Sequence, residues 1–325
     1  MASLVRQLQK RVRTDIFVCY TPLHVLISER IIEKKKIERY CMIYFYEVNS
    51  AKNDYYFNKL KAGAESALYL RKSKSLFGAA APFISFFRLR KYKIRDSYTG
   101  NIKTAYSRLT LWLLRPEQIF TMDDGAGNIS LTETYFGADK EKWFTYCLFS
   151  IVGRTFIYKN IRKRSIEHYT IYKHPNVFPN SVYVELFHPS DNYRTSDRKE
   201  KITAMLTGAL ATEDVLSKEN ELRLYKEAAA RFNADLIIMH PRQRSEDMAD
   251  YPNISSSLLI AEHQILELMK EKEVRAIGFF CTTVLLNLPD TVERINVITK
   301  QGKINEDLIE FYRNLGIRTI SLPLE

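Results

Sequence analysis

The fold is decided by residues 15–46, which read DIFVCYTPLHVLISERIIEKKKIERYCMIYFY. Residues 15–20 are apolar, rich in β-formers and followed by a turn, which predicts a buried strand. Residues 23–34 carry apolar side chains at helical spacing, and Pro22 stands where the first turn of a helix accepts proline. Residues 41–46 form a second apolar run. Strand, helix and strand in this order predict a parallel sheet with crossover helices.

The same alternation returns further along the chain. Residues 118–122 are strand-like, and the polar segment 189–201 is the best candidate for a linker. Beyond it we predict strands at 202–206, 234–239, 274–280 and 295–299, and helices at 219–232, 262–272, 284–288 and 306–315. We therefore expect an α/β protein with two doubly wound domains, residues 1–190 and 191–325, whose strand ends face a shared cleft.

The composition is that of a globular protein with a basic surface. Among 325 residues, 46% are hydrophobic, and 49 Lys and Arg oppose 38 Asp and Glu, for a formal net charge of +11. Such a charge attracts nucleic acid, anionic lipid, or phosphorylated and acidic sugars. The four cysteines lie far apart, which argues against a disulfide framework or a thiolate zinc site. No apolar run resembles a signal peptide or a spanning helix, so we expect a cytoplasmic protein.

His240 is the first candidate for chemistry. It follows a wholly apolar predicted strand and precedes Pro241 and Arg242. Ligands of doubly wound sheets bind beyond the carboxyl ends of the strands. An imidazole there can donate to a phosphate oxygen or protonate a leaving group, and a guanidinium suits phosphate or carboxylate. His-Pro also occurs at His174 and His188, so an ordinary turn histidine is the competing interpretation.

A pair of carboxylates, Asp123 and Asp124, follows the predicted strand at 118–122. Paired carboxylates can supply a general base or a magnesium site, and Gly125 allows the backbone to bend beside a ligand. No second acidic cluster lies nearby, which argues against a dedicated metal cage. An Asp-Gly turn with a helix cap is the alternative.

Two hydroxyl-bearing segments also follow predicted strands. Thr207-Gly208 leads into an acidic loop that ends at Asp214, and Thr282-Thr283 precedes a helical pattern. Hydroxyls at such positions can hold phosphate, while helix capping alone explains both segments equally well. The chain contains no P-loop, GxGxxG, GxSxG, HExxH or EF-hand motif, which disfavours the functions that depend on them.

The order of these motifs resembles the bacterial sialyltransferases of glycosyltransferase family 52. The resemblance rests on CYTPLH at residues 19–24, then Asp-Asp-Gly, His-Pro-Arg and Thr-Thr, and it covers most of the chain. Thr-Thr stands where related families have Ser-Ser, and Gln243 stands where an acidic residue is usual. The resemblance implies a GT-B-like, metal-independent, inverting enzyme that transfers sialic acid from CMP-sialic acid to a terminal galactose of lipooligosaccharide, O-antigen or capsule. An α2,3 linkage is expected, and α2,6 stays open.

The resemblance also assigns roles to residues. It places the acceptor in the N-terminal domain and the nucleotide sugar in the C-terminal one, with His240 assisting departure of the CMP phosphate. Asp214 is the first choice for the base and Asp124 the second; Asp123 and Gly125 belong to the acceptor side. The implied donor-binding residues are Thr207, Gly208, Pro241, Arg242, Glu262, Thr282 and Thr283. Thr282 and Thr283 would hold phosphate oxygens. Glu262 would hold the cytidine ribose, unless it merely begins a surface helix.

The basic charge suggests a peripheral position on the inner face of the bacterial membrane. The basic, aromatic segments 83–93 and 151–164 are the candidate contacts with anionic lipid, and we expect no nucleic-acid partner. A homodimer is left open. Two other functions stay open as well: a hexosyltransferase that uses another sugar nucleotide, and a non-enzymatic protein that binds polyanions.

Overall fold

The computed structural model of the chain comprises two compact units, Met1–Leu186 and Phe187–Glu325. It describes residues 12–73, 84–125, 128–129, 157–186, 200–240, 243, 245–248 and 251–324. The predicted domain boundary between residues 190 and 191 lies outside the described residues, as does most of the predicted linker.

The first unit is a parallel sheet with crossover helices. Its strands are β1 (Val12–Cys19), β2 (Tyr40–Tyr46), β3 (Ser66–Arg71), β4 (Tyr92–Gly100), β5 (Gln118–Met122), β6 (Ser165–Thr170) and β7 (Ser181–Tyr183). Its helices are α1 (Pro22–Lys35), α2 (Ala51–Lys61), α3 (Ala105–Leu114) and α4 (Tyr158–Arg164). The strand order is β3-β2-β1-β4-β5-β6-β7, and every neighbouring pair is parallel.

The β1–α1 connection shows why the sequence folds in this way. The inner residues of β1 are apolar and buried on both faces of the sheet, as expected of a central parallel strand. Thr21 caps α1 by accepting a hydrogen bond from the amide of His24, and Pro22 occupies the first turn. The helix ends where Lys36 adopts a left-handed conformation.

The described residues of the second unit form a five-stranded parallel sheet. Its elements are β8 (Lys201–Leu206), α5 (Lys218–Phe232), β9 (Leu236–Ile238), α6 (Ala261–Met269), β10 (Glu273–Phe279), α7 (Val284–Asn287), β11 (Glu293–Ile298), α8 (Glu306–Asn314) and β12 (Arg318–Ser321). The strand order is β12-β11-β10-β8-β9, and all pairings are parallel. Its core packs residues of β8, β10 and β11 against α5, including Met205, Leu224, Ile277 and Ile295.

Each sheet has a point where the strand order reverses. In the first unit it lies between β1 and β4, and in the second between β8 and β10. Ligands of doubly wound sheets bind beyond the carboxyl ends of the strands at such a point. The two parallel sheets confirm the expectation of two doubly wound α/β units. No helix in the described part of the chain is long and apolar enough to cross a membrane.

Candidate active site

In the first unit, Asp124 lies at the carboxyl end of β5 beside a buried histidine. The Oδ1 of Asp124 is 3.3 Å from the Nε2 of His24, which belongs to the first turn of α1. The His24 side chain is fully buried, whereas the Asp124 side chain is 33% exposed. Gly125 follows with a φ of 71°, a left-handed conformation that glycine adopts without strain. Asp124 and Gly125 therefore lie next to the reversal point of this sheet.

Asp123 occupies a different environment from its neighbour. Its carboxylate is fully buried and accepts hydrogen bonds from His168 Nε2 at 2.9 Å, Thr170 Oγ1 at 2.6 Å and the Ile171 amide at 2.9 Å. The side-chain amides of Asn128 and Asn176 also donate to it. A buried carboxylate with this many donors joins β5 to β6 and the segment that follows. Asp123 thus anchors the turn that carries Asp124 and Gly125 to β6.

In the second unit, Thr207 joins the ends of β8 and β9. Its Oγ1 accepts a hydrogen bond from the His240 amide at 3.0 Å and donates one to the side-chain oxygen of Gln243. The structure therefore brings Thr207, Gly208 and His240 together at the carboxyl edge of the sheet. Pro241 and Arg242, the other two residues of the His-Pro-Arg motif, lie outside the described residues.

The loop after β8 is held by two side chains of α5. The Tyr225 hydroxyl accepts from the Gly208 amide at 3.0 Å, and burial raises the pKa of this phenol well above its ordinary value. Glu221, only 2% exposed, accepts from the amides of Leu210 at 2.8 Å and Ala211 at 3.4 Å. These two side chains fix the backbone of the loop that precedes α5.

Asp214 lies at the exposed end of that loop. It adopts a left-handed conformation with a φ of 55°, and its carboxylate makes no hydrogen bond or ion pair with any residue that the structure describes. The cap of α5 is Ser217, three residues later, which accepts from the Asn220 amide at 3.2 Å, and the helix begins at Lys218. Asp214 is therefore not a helix-capping residue, and its carboxylate is accessible to a ligand.

The turn after β10 contains two consecutive left-handed residues that are not glycine. Phe280 has a φ of 46° and Cys281 a φ of 59°. Side chains make this conformation unfavourable, so surrounding contacts must hold it. The amide of Cys281 donates to the buried side chain of Asn296 at 2.7 Å, and the Tyr312 hydroxyl donates to the carbonyl of Cys281 at 2.7 Å. Burial also raises the pKa of the Cys281 thiol to about 12, which makes a nucleophilic role unfavourable.

This turn presents Thr282 and Thr283 at the edge of the sheet. The methyl group of Thr282 packs on Gly278, where a Cβ would lie only 2.3 Å away. Thr283 precedes α7, but its hydroxyl makes no capping hydrogen bond. Capping thus does not account for the Thr283 hydroxyl. β10 is the sheet neighbour of β8, so both threonines lie at the reversal point of the sheet that Thr207 also adjoins.

Glu262 is buried rather than displayed on a surface helix. It lies in the first turn of α6, is 6% exposed, and accepts a hydrogen bond from Asn287 Nδ2 at 2.9 Å. Asn287 ends α7, the helix that follows the two threonines. The hydrogen bond thus connects Glu262 to the element that carries them.

The segment after β11 contacts both loops of the second unit. Gly302 lies under the ring of Phe280, since a Cβ there would be 2.3 Å from that ring. The amide of the next residue, Lys303, donates to the carbonyl of Val215 at 3.1 Å. One short segment therefore touches the turn before the threonines and the loop that carries Asp214.

The sequence motifs did not identify several residues that support this site. Glu221, Tyr225, Asn296 and Tyr312 act from helices or strands distant in sequence, and no local pattern marks them. His24 belongs to the CYTPLH segment, which could have drawn attention to it. In the described part of the chain, no group of three or more His, Cys, Asp or Glu side chains is arranged to bind a metal ion.

The chain is similar to known glycosyltransferases along most of its length. A protein of Pasteurella multocida (strain Pm70) named CMP-N-acetylneuraminate:beta-galactoside alpha-2,3-sialyltransferase is 22% identical, over 95% of this chain and 99% of that protein. A Neisseria meningitidis protein named N-acetyllactosaminide alpha-2,3-sialyltransferase is 25% identical, over 80% of this chain and 71% of that protein.

The fold has a counterpart among solved structures. A crystal structure from Listeria monocytogenes, of a protein described as a UDP-N-acetylglucosamine 2-epimerase, matches with a TM-score of 0.54 at 8% identity, over 95% of this chain and 84% of that one. This likeness concerns the fold alone and agrees with the expected GT-B-like pair of Rossmann-like domains. The model of the family described as "Glycosyltransferase family 52" matches residues 37–300. The chain therefore belongs to glycosyltransferase family 52.

Proposed function

We propose that this enzyme transfers sialic acid from CMP-sialic acid to a terminal galactose of a bacterial surface glycan, with an α2,3 linkage. The observation that carries the proposal is the family membership together with relatives that are named α2,3-sialyltransferases. The second unit binds the donor and the first unit binds the acceptor. Reaction with inversion needs a base for the acceptor hydroxyl and stabilisation of the departing CMP phosphate.

His240 serves the leaving group in this proposal. Its backbone is fixed to Thr207, so the imidazole starts from the carboxyl edge of the sheet, where an anionic ligand binds. A protonated imidazole donates a hydrogen bond to the phosphate oxygen as the bond from that oxygen to the anomeric carbon breaks. Pro241 and Arg242 follow in sequence, and the guanidinium adds positive charge near the donor.

Thr282 and Thr283 bind the phosphate oxygens through their hydroxyl groups. The rigid turn before them supports this role, because donors that are already oriented lose little entropy when the ligand binds. Glu262 contacts the cytidine ribose, and its hydrogen bond to Asn287 keeps it next to the same turn. Gly208 lets the donor approach the backbone closely.

Asp214 is the proposed base, since its carboxylate is exposed and unpaired among the described residues. Asp124 is the second candidate for that role. Asp123 and Gly125 shape the acceptor side, Asp123 through its buried hydrogen bonds. The reaction needs no metal ion in this proposal, because a protonated His240 supplies positive charge and the hydroxyl groups donate hydrogen bonds to the phosphate.

The enzyme also docks on the anionic inner leaflet of the membrane through a patch formed by residues 84–91. Ile84 is 69% exposed and Phe87 is 59% exposed, and the Arg90 guanidinium stacks on the Phe87 ring at 3.8 Å. Exposed apolar side chains next to cations suit the interface of an anionic bilayer. In the second candidate segment, residues 151–156 lie outside the described residues, and α4 buries Tyr158 and Ile161, which leaves mainly charge on its surface.

The test is release of CMP from CMP-sialic acid with lactose as acceptor, in the presence of EDTA. We expect sialyl-lactose from the wild type and a loss of about a hundredfold or more in kcat for His240→Ala. His174→Ala is the matched control, because His174 also precedes a proline, and it should retain activity. If the wild type does not bind CMP, the proposal is refuted. If it turns over a UDP-hexose instead, the donor is that sugar nucleotide and not CMP-sialic acid.

A further inference from the structure

The proposed function assigns no role to His24, although the His24 ring contacts the carboxylate of Asp124. The His24 ring is fully buried, and its Nε2 makes no hydrogen bond in the part of the chain that the structure describes. Asp124 Oδ1 lies 3.3 Å from it, outside ordinary hydrogen-bond geometry. A buried polar nitrogen with no hydrogen bond requires an explanation.

The contacts of the other ring nitrogen determine the tautomer. The amide of Tyr20 donates to Nδ1 of His24 at 3.1 Å. An amide N–H can only donate, so Nδ1 must be the acceptor and the ring proton lies on Nε2. This nitrogen is the one that Asp124 Oδ1 approaches to 3.3 Å. The backbone at the end of β1 thus leaves a proton, and no lone pair, on the ring nitrogen nearest to this carboxylate oxygen.

The neighbouring strand leaves room for this ring. Gly100 ends β4, and a Cβ at that position would lie 2.5 Å from both Cδ2 and Nε2 of His24. The Tyr20 side chain beside it is fixed as well, since its hydroxyl bonds to Ser107 Oγ at 2.7 Å. The ends of β1, β4 and β5 therefore converge on one His–Asp pair at the reversal point of the sheet.

We propose that His24 is the positioning residue of a His24–Asp124 dyad that binds a hydroxyl group of the acceptor sugar. The inference rests on the proposed function in one respect, that the acceptor is a galactoside. A carboxylate can only accept hydrogen bonds, and sugar hydroxyls can donate them. His24 restricts Asp124 from one side, while the exposed part of the carboxylate remains free for the sugar. This restriction lowers the entropy lost on binding.

The dyad is tested by lactose binding to the full chain, measured by ligand-observed NMR without donor. We expect His24→Leu to weaken lactose binding about tenfold or more, because the 3.3 Å contact of the buried imidazole N–H group with Asp124 is lost. His24→Gln retains an N–H donor and should recover most of the affinity. Ser28→Ala is the control, since Ser28 is buried in the same helix and its hydroxyl donates to the His24 carbonyl at 2.7 Å.

A double-mutant cycle separates this role from a structural one. If His24 acts through Asp124, combining His24→Leu with Asp124→Asn should weaken lactose binding no more than Asp124→Asn alone. The effect should appear in the acceptor KM and leave CMP affinity unchanged. Additive losses, or wild-type lactose binding by His24→Leu, would overturn the dyad.

The two proposals fail in different ways. Lactose binding that depends on His24, in an enzyme that does not use CMP-sialic acid, would overturn only the proposed donor. Normal sialyl transfer with an acceptor KM that is insensitive to His24 and Asp124 would overturn only the dyad.

Discussion

Asp123 and Asp124 are adjacent in sequence, yet their carboxylates lie in different environments. Asp123 is fully buried and its carboxylate accepts hydrogen bonds from side chains and backbone on β6 and beyond. Asp124 is partly exposed and faces one imidazole. Successive side chains of an extended segment point in opposite directions. One of two adjacent aspartates can therefore lie in the core while the other is exposed to a ligand. Of the two carboxylates, only that of Asp124 is exposed to a ligand.

The difference between the two aspartates is measurable as stability. Asp123→Asn replaces one acceptor oxygen by a donor and leaves buried donors unpaired, so we expect a loss of about 2 kcal/mol or more in the free energy of unfolding. Asp124→Asn should change stability by less than about 0.5 kcal/mol. Urea unfolding of both variants checks this, and equal losses would contradict the assignment.

At the scale of elements, the sequence predicted β1, α1 and β2 to within three residues, because the two strands have uninterrupted apolar cores and the helix has apolar side chains at helical spacing. The order of strands and helices from residue 200 to α8 was also predicted, whereas the last strand, β12, was not. β4 was missed because Lys93, Arg95 and Asp96 interrupt its apolar pattern, although it is a central strand. β6 was missed for the same reason. Polar residues there are stabilised by long-range partners, which no local pattern shows.

The candidate site was predictable only where it follows an apolar strand. Asp124, Thr207, His240 and Thr282 were found in this way, and each lies at the carboxyl end of a strand. Asn296 and Tyr312 were not, because they act on a turn that precedes them in the chain by 15 and 31 residues. Contacts between residues that far apart in the chain produce no periodic pattern in the sequence.

The turn after β10 should depend on the hydroxyl that α8 provides. Tyr312→Phe removes the hydrogen bonds to the carbonyls of Cys281 and Thr282, and the strained conformation then loses part of its support. We expect CMP to bind about tenfold more weakly, and stability to fall by about 1 kcal/mol. Calorimetric titration with CMP measures the first effect.

A matched variant separates donor binding from general stability. Tyr44→Phe also removes a buried hydroxyl, which donates to Asn53 at 2.8 Å in the first unit. We expect Tyr44→Phe to lower the free energy of unfolding about as much as Tyr312→Phe does, and to leave the affinity for CMP unchanged. If both variants weaken CMP binding equally, the turn has no specific role in the donor site.

For the whole molecule, the net charge of +11 predicts salt-sensitive attraction to anionic surfaces. The patch of residues 84–91 localises part of this charge beside exposed apolar side chains. We expect Arg88→Ser/Arg90→Ser to weaken binding to vesicles containing about a third anionic lipid roughly tenfold or more, at about 1 kcal/mol for each cation. Vesicle sedimentation at two salt concentrations measures it.

The control for this prediction changes the net charge equally at another place. Arg223→Ser/Lys226→Ser removes two exposed cations from α5 in the second unit. Binding that falls equally in both variants would indicate general attraction and contradict a docking patch. If vesicle binding of the wild type does not change with the salt concentration or with the fraction of anionic lipid, membrane association through these cations is contradicted.

The contacts of the segment after β11 have a consequence for the order in which the donor site becomes rigid. Gly302 supports Phe280, and the neighbouring Lys303 amide holds the carbonyl of Val215, next to Asp214. If a nucleotide immobilises the threonines as proposed, we expect the motion of the loop with the proposed base to be restricted as well. Hydrogen exchange at the Lys303 amide should slow when CMP binds. The entropy of ordering that loop would then be lost with the nucleotide, before any acceptor arrives.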